Sequence, residues 1–161
     1  MNVKTLVNNG LLAALYIAVS VLVQPFGFTN IQFRLSELFN HLIVFNKKYF
    51  LGITLGVFLA NLFLSPLGIY DLIFGVGQSV ISLLMTMGVG RFIESIWVRM
   101  IANTIIFSFN MFIIAIMLNL ALGLPFLITW LTTAIGEFVV MALGIPIIYA
   151  LHKRMHFDKL V

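Results

Sequence analysis

Cysteine is absent from the 161 residues and charge is scarce: five acidic and nine basic side chains make up 9% of the chain. Without thiols there is neither a disulfide framework nor a thiolate metal site, and the redox compartment leaves no trace. Soluble domains carry about 25% charged residues, so a chain this poor in charge is not built for water on all sides. Also missing are a GxxxxGK(S/T) phosphate loop, an HExxH helix and a nucleophile elbow. His41, His152 and His156 are not spaced as metal ligands. These absences argue against an enzyme, a metal site and a resident cofactor. If the chain takes part in energised transport, the ATP is hydrolysed by another polypeptide.

What is present is apolar side chain: 62% of residues are hydrophobic and the mean hydropathy is +1.16. A water-soluble fold of this length has no interior that could hide so much, so the solvent is a lipid bilayer. A spanning helix needs about 20 mostly apolar residues, which leaves room for six short spans and no separate catalytic domain. The expected fold is a single all-α integral membrane unit over residues 1–161, a six-transmembrane-helix bundle with spans near 8–24, 31–45, 49–64, 70–90, 100–122 and 126–151. Pro25 stops the first span, and the connector Phe26 to Asn30 follows. Pro25-Phe26-Gly27-Phe28 is unlike a signal-peptide cleavage site, so the first apolar stretch is kept as a helix. The second span is the shortest and most polar, suited to an oblique or cavity-lining position. Ser65-Pro66-Leu67-Gly68 and Gly123-Leu124-Pro125 break the chain between spans. Residues 90–99 have the amphipathic make-up of a membrane surface, a bend is expected near Gly144-Ile145-Pro146, and residues 152–161 read as a short polar tail.

The net charge of +4 reads as topology rather than nucleic-acid binding. Six spans put both termini, the 2–3 turn and the 4–5 segment on one side. Those regions hold Lys4, Lys47, Lys48, Arg91, Arg99, Lys153, Arg154 and Lys159, eight of the nine basic residues. By the positive-inside rule that side is cytoplasmic, with the protein in the cell membrane. Arg34, Glu37 and Asp71 fall toward the outer half, with Glu137 near mid-helix.

An ionisable group within the bilayer costs about 2.5–3.5 kcal/mol on insertion scales, so it faces a cavity or a partner. On an α-helix Arg34, Glu37 and His41 share a face, with Asn40 adjoining. That stripe is either a structural ion pair or a solute site. Trp130, Thr133 and Glu137 align on the last span, Asp71, Gly75, Gln78 and Ser82 on the fourth, and Asn103 and Asn110 on the fifth. A carboxylate and amides beneath an indole would hold a flat polar heterocycle. Each amide taken singly also reads as an interhelical hydrogen bond. Gly10, Ala14 and Ala18 form one small-residue groove, and Gly52, Gly56 and Ala60 another.

Two stretches, IQFRLSELFNHL at 31–42 and LANLFLSPLGIYDLIFGVG at 59–77, resemble signature segments of the QueT family of queuosine-precursor transporters, which are substrate-binding S components of energy-coupling factor (ECF) transporters. The resemblance implies a six-helix S component that captures a 7-deazaguanine such as queuine, preQ1 or preQ0 outside the cell. It then joins a transmembrane T component driven by two cytosolic ATPases. It also implies that Gly10, Ala14 and Ala18 dock the T component, and that Arg34, Glu37, Asn61 and Asp71 stand at motif positions. Trp130, Gln78 and Glu137 rest on the spacing argument, and His41 is not a hallmark of the family. An S component for another vitamin or nucleobase, or a stand-alone secondary carrier, remains an alternative.

Overall fold

The computed structural model describes residues 3–24 and 33–161, and among these every regular element is a helix. Five helices are long and apolar enough to cross a membrane, with a shorter apolar one beside them: α1 Val3–Leu22, the short α2 Leu35–Phe45, α3 Lys47–Leu64, α4 Asp71–Val89, α5 Ile96–Leu122 and α6 Phe126–Met155. A final turn, α7, covers Phe157–Leu160. By helix length and composition this is a multi-pass membrane protein.

Three of the helices are not uniform. α2 is a 3-10 helix over Leu35–His41 that relaxes to one α-turn, Leu42–Phe45. α3 opens with a 3-10 turn, Lys47–Tyr49, and α4 with a π-turn, Asp71–Gly75. The expected breaks at Pro25 and residues 26–30, and the first residues of the expected second span, Ile31 and Gln32, lie outside the described residues.

Two glycines let α1 and α3 approach closely. A Cβ on Gly52 would stand 2.5 Å from Asn9 Oδ1, and one on Gly56 would stand 2.8 Å from Tyr16 Cβ. Lipid tails are as apolar as leucine, so helices in a bilayer gain by packing and hydrogen bonding rather than by escaping solvent. The small-residue stripe of α3 is therefore consumed inside the molecule, where the Gly52 N–H also donates to Asn9 Oδ1 at 2.8 Å. α2 is held from the other side by α6, since a Cβ on Gly144 would meet Leu38 Cβ at 2.9 Å. Pro146 lies inside α6, which runs on without interruption to Met155.

The structure adds detail to two expectations at one end of the bundle. Residues 90–99 are mostly exposed, with none of them buried. The chain turns at Gly90–Ser95 and α5 begins at Ile96, so Trp97 packs on Tyr149 with 4.6 Å between ring centroids. The short polar tail also has a buried side. α6 ends at His156 in the left-handed conformation (φ 53°), and the chain folds back to bury Phe157 and Val161. The Tyr49 hydroxyl donates to Phe157 O at 3.0 Å, Asn46 Nδ2 to Val161 O at 3.2 Å and Lys4 Nζ to Lys159 O at 3.1 Å. His152 stacks on Phe45 with 4.1 Å between ring centroids. The hydrophobic residues Phe157, Leu160 and Val161 supply the reason, because they have apolar surface to hide. These contacts place both described ends of the chain and the α2–α3 turn together. A shared cleft brings the α4–α5 turn to the same end.

Candidate functional site

The site starts from the geometry of α2. An α-helix would align Arg34, Glu37 and His41, but a 3-10 helix has three residues per turn and stacks every third side chain. The structure accordingly groups Arg34, Glu37 and Asn40, and turns His41 away. Arg34 Nη1 lies 3.6 Å from Glu37 Oε1, and Asn40 Nδ2 donates to Glu37 Oε2. Arg34 Nη2 also donates to Asn61 Oδ1 of α3 at 2.8 Å. The Tyr16 hydroxyl of α1 donates to Glu37 Oε1 at 2.9 Å, and Ser20 Oγ meets Ser36 Oγ at 2.8 Å. Charge buried in a low dielectric survives only when paired and hydrogen-bonded, and Glu37 meets that condition through three neighbours.

Two further acids lie within electrostatic reach. Arg34 feels the charges of Asp71 and Glu137 besides that of Glu37. Asp71 opens the π-turn of α4 and accepts a hydrogen bond from Ser65 Oγ. Glu137 projects from α6 and is 1% exposed. Three buried polar atoms around this cluster have no hydrogen-bond partner among the described residues: Asn40 Oδ1, Asn61 Nδ2 and Glu137 Oε1. Buried polar groups are almost always satisfied, so two idle acceptors and one idle donor beside one ion pair are unusual. The cluster is buried, with Arg34 9% and Glu37 2% exposed.

The remaining expected residues are placed elsewhere. His41 Nε2 donates to Met141 O at 2.8 Å, and its Nδ1 accepts from Asn103 Nδ2 at 3.2 Å. Asn103 Oδ1 in turn accepts from Thr86 Oγ1 at 2.7 Å. That chain ties α4, α5, α2 and α6 together behind the ion pair. Gln78 and Asn110 share Ser82, with Asn110 Nδ2 donating to Ser82 Oγ at 2.9 Å and Gln78 Nε2 reaching it at 3.5 Å. Trp130 is not drawn to the carboxylates. Its indole N–H donates to Phe109 O at 3.0 Å and its ring packs among Phe109, Phe112 and Phe126. The spacing that aligned Trp130 with Glu137 was therefore a poor guide, because seven residues carry the chain two turns along the helix axis to different depths.

Tyr16 and Ser36 escaped the sequence reading. The signal was present: Thr5, Asn9, Tyr16 and Ser20 recur at intervals of four and seven, one helical face, opposite the small-residue stripe. Gly10, Ala14 and Ala18 point outward, and a Cβ on Gly10 would meet nothing within 4 Å.

Comparison with known proteins gives a family. No solved structure matches the chain. A curated protein of Lactococcus lactis subsp. cremoris (strain MG1363), named queuosine precursor transporter QueT, is 33% identical over 96% of this chain and 95% of its own length. The family model described as QueT transporter matches residues 6–153, and the chain therefore belongs to the QueT family, whose members are transporters and not enzymes.

Proposed function

We propose that this protein is the membrane-embedded substrate-binding subunit of an energy-coupling factor importer and that it captures a queuosine precursor of the 7-deazaguanine class. The observation that carries the reading is the set of idle polar atoms around the Arg34–Glu37 pair. A 7-deazaguanine edge offers a ring N–H and an exocyclic amine to acceptors, and a carbonyl to a donor. Glu137 Oε1 and Asn40 Oδ1 are the unused acceptors and Asn61 Nδ2 the unused donor. One cation, Arg34, stands among three acids, Glu37, Asp71 and Glu137, which suits a precursor carrying an amine. The named activity of the Lactococcus relative supports the same substrate class.

Six membrane crossings, with the short α2 as the second, agree with the meeting of the termini and the α2–α3 and α4–α5 turns at one end. Eight of the nine basic residues cluster there, so that end is cytoplasmic by the positive-inside rule. Gly10, Ala14 and Ala18 form the face on which a transmembrane T component docks, driven by two cytosolic ATPases. The idle state of this groove contrasts with the matching stripe of α3, which α1 already fills.

The test is a thermal-shift panel on the purified chain in detergent, covering 7-deazaguanines, guanine and unrelated vitamins. Stabilisation confined to the 7-deazaguanines is expected. Stabilisation by an unrelated vitamin alone would transfer the same architecture to another solute, and uptake abolished by collapsing the proton gradient without any ATPase would make the chain a secondary carrier.

A further inference from the structure

A second polar feature lies far from the ion pair, at the end of the bundle that gathers the termini. The α2–α3 turn, the end of α4 and the start of α5 enclose a cleft of about 270 Å³. Three cations from three separate segments line it: Lys47, Arg91 and Arg99. None has an ion pair among the described residues. The acids of neighbouring segments are Glu94, exposed in the α4–α5 turn, and Asp158, whose carboxylate faces His152 at 3.9 Å. Arg99 is steadied by the backbone of the α4–α5 turn, since its Nε donates to Ile93 O. That bond orients the guanidinium while its two terminal nitrogens keep their donors.

We propose that this cleft binds the phosphate of an anionic phospholipid headgroup. Uncompensated cations brought together by folding repel one another, and an anion between them removes that cost. Arginine forks match phosphate oxygens two at a time. The walls distinguish a lipid from a free phosphate. Ile43, Val44, Phe45 and Met87 line the same cleft, and Phe92, 89% exposed, and Trp97 belong to the same α4–α5 region of the chain as Arg91 and Arg99. A soluble phosphate has no use for apolar walls, whereas a lipid runs its acyl chains along them with its headgroup at the level where tryptophan sits in membranes. Basic pockets between helices at the cytoplasmic surface are where anionic headgroups are held.

The experiment is a native mass spectrometric titration of the full chain, released from neutral detergent, with phosphatidylglycerol, phosphatidylcholine and inorganic phosphate. Retention of phosphatidylglycerol about tenfold tighter than phosphatidylcholine is expected, equivalent to about 1.4 kcal/mol. The preference is lost in the double variant Arg91→Gln, Arg99→Gln and kept in Arg91→Lys, Arg99→Lys. Arg91 is exposed, so Arg91→Gln alone supplies a variant whose folding is not at risk, and it is expected to lose part of the preference. Equal retention of both lipids, or an undiminished preference in the double glutamine variant, overturns the proposal. Displacement of phosphatidylglycerol by inorganic phosphate assigns the cleft to a soluble anion and overturns it too.

Discussion

Glu37 and Glu137 are two buried carboxylates with opposite surroundings. Glu37 is bonded by Tyr16, Asn40 and Arg34, so it is a framework group. Glu137 leaves an oxygen idle, so it is the group with capacity to spare for a solute. Glu137→Gln is expected to weaken binding of a 7-deazaguanine at least tenfold, about 1.4 kcal/mol, with the melting temperature in detergent little changed. An unaltered calorimetric affinity would remove Glu137 from the site. Tyr16→Phe should behave the other way. It deletes a buried donor to a carboxylate and costs about 1–3 kcal/mol of stability, read as a lower melting temperature; an unchanged one would mean the phenol contributes nothing to holding Glu37. At this scale the sequence revealed the ionisable residues, because charge in an apolar run is conspicuous. It concealed the partners, because a tyrosine or serine among leucines is ordinary.

The elements carry a different lesson. Both stretches that resemble family signatures contain helix of unusual pitch, 3-10 over Leu35–His41 and π at Asp71–Gly75. Nothing in amino-acid periodicity announces such a change, since propensities do not separate these forms from the α-helix. That is why the sequence put His41 beside Glu37 and left Asn40 to the side. Both irregular segments are closely packed against a neighbour, α2 by Gly144 of α6 and the π-turn of α4 at its own Gly75. A Cβ on Gly75 would sit 2.7 Å from Asn61 Nδ2. Glycine substitutions therefore separate packed from open faces. Gly56→Val is expected to push α3 from Tyr16 and destabilise by about 1–3 kcal/mol, whereas Gly10→Ala is tolerated, both measured as thermal unfolding in the same detergent. Equal losses would contradict the assignment of α3 as the inward groove.

Across the whole molecule, the all-helical membrane character and five of the six expected spans were readable from composition alone, since the bilayer imposes length; the second expected span is the short α2, Leu35–Phe45. The returning tail was not readable, because its hold on α1 and the α2–α3 turn depends on backbone carbonyls that no side-chain pattern encodes. The outward Gly10, Ala14, Ala18 face makes a prediction at this scale. Ala14→Trp should abolish uptake by the assembled transporter and leave solute binding by the isolated chain intact; normal uptake would exclude that face from docking. Most direct for the account as a whole is isothermal calorimetry of the purified chain, without any partner, titrated with an amine-bearing 7-deazaguanine. Saturable binding of one molecule per chain that guanine does not reproduce is the predicted result. A folded protein that releases no heat with any 7-deazaguanine would contradict it.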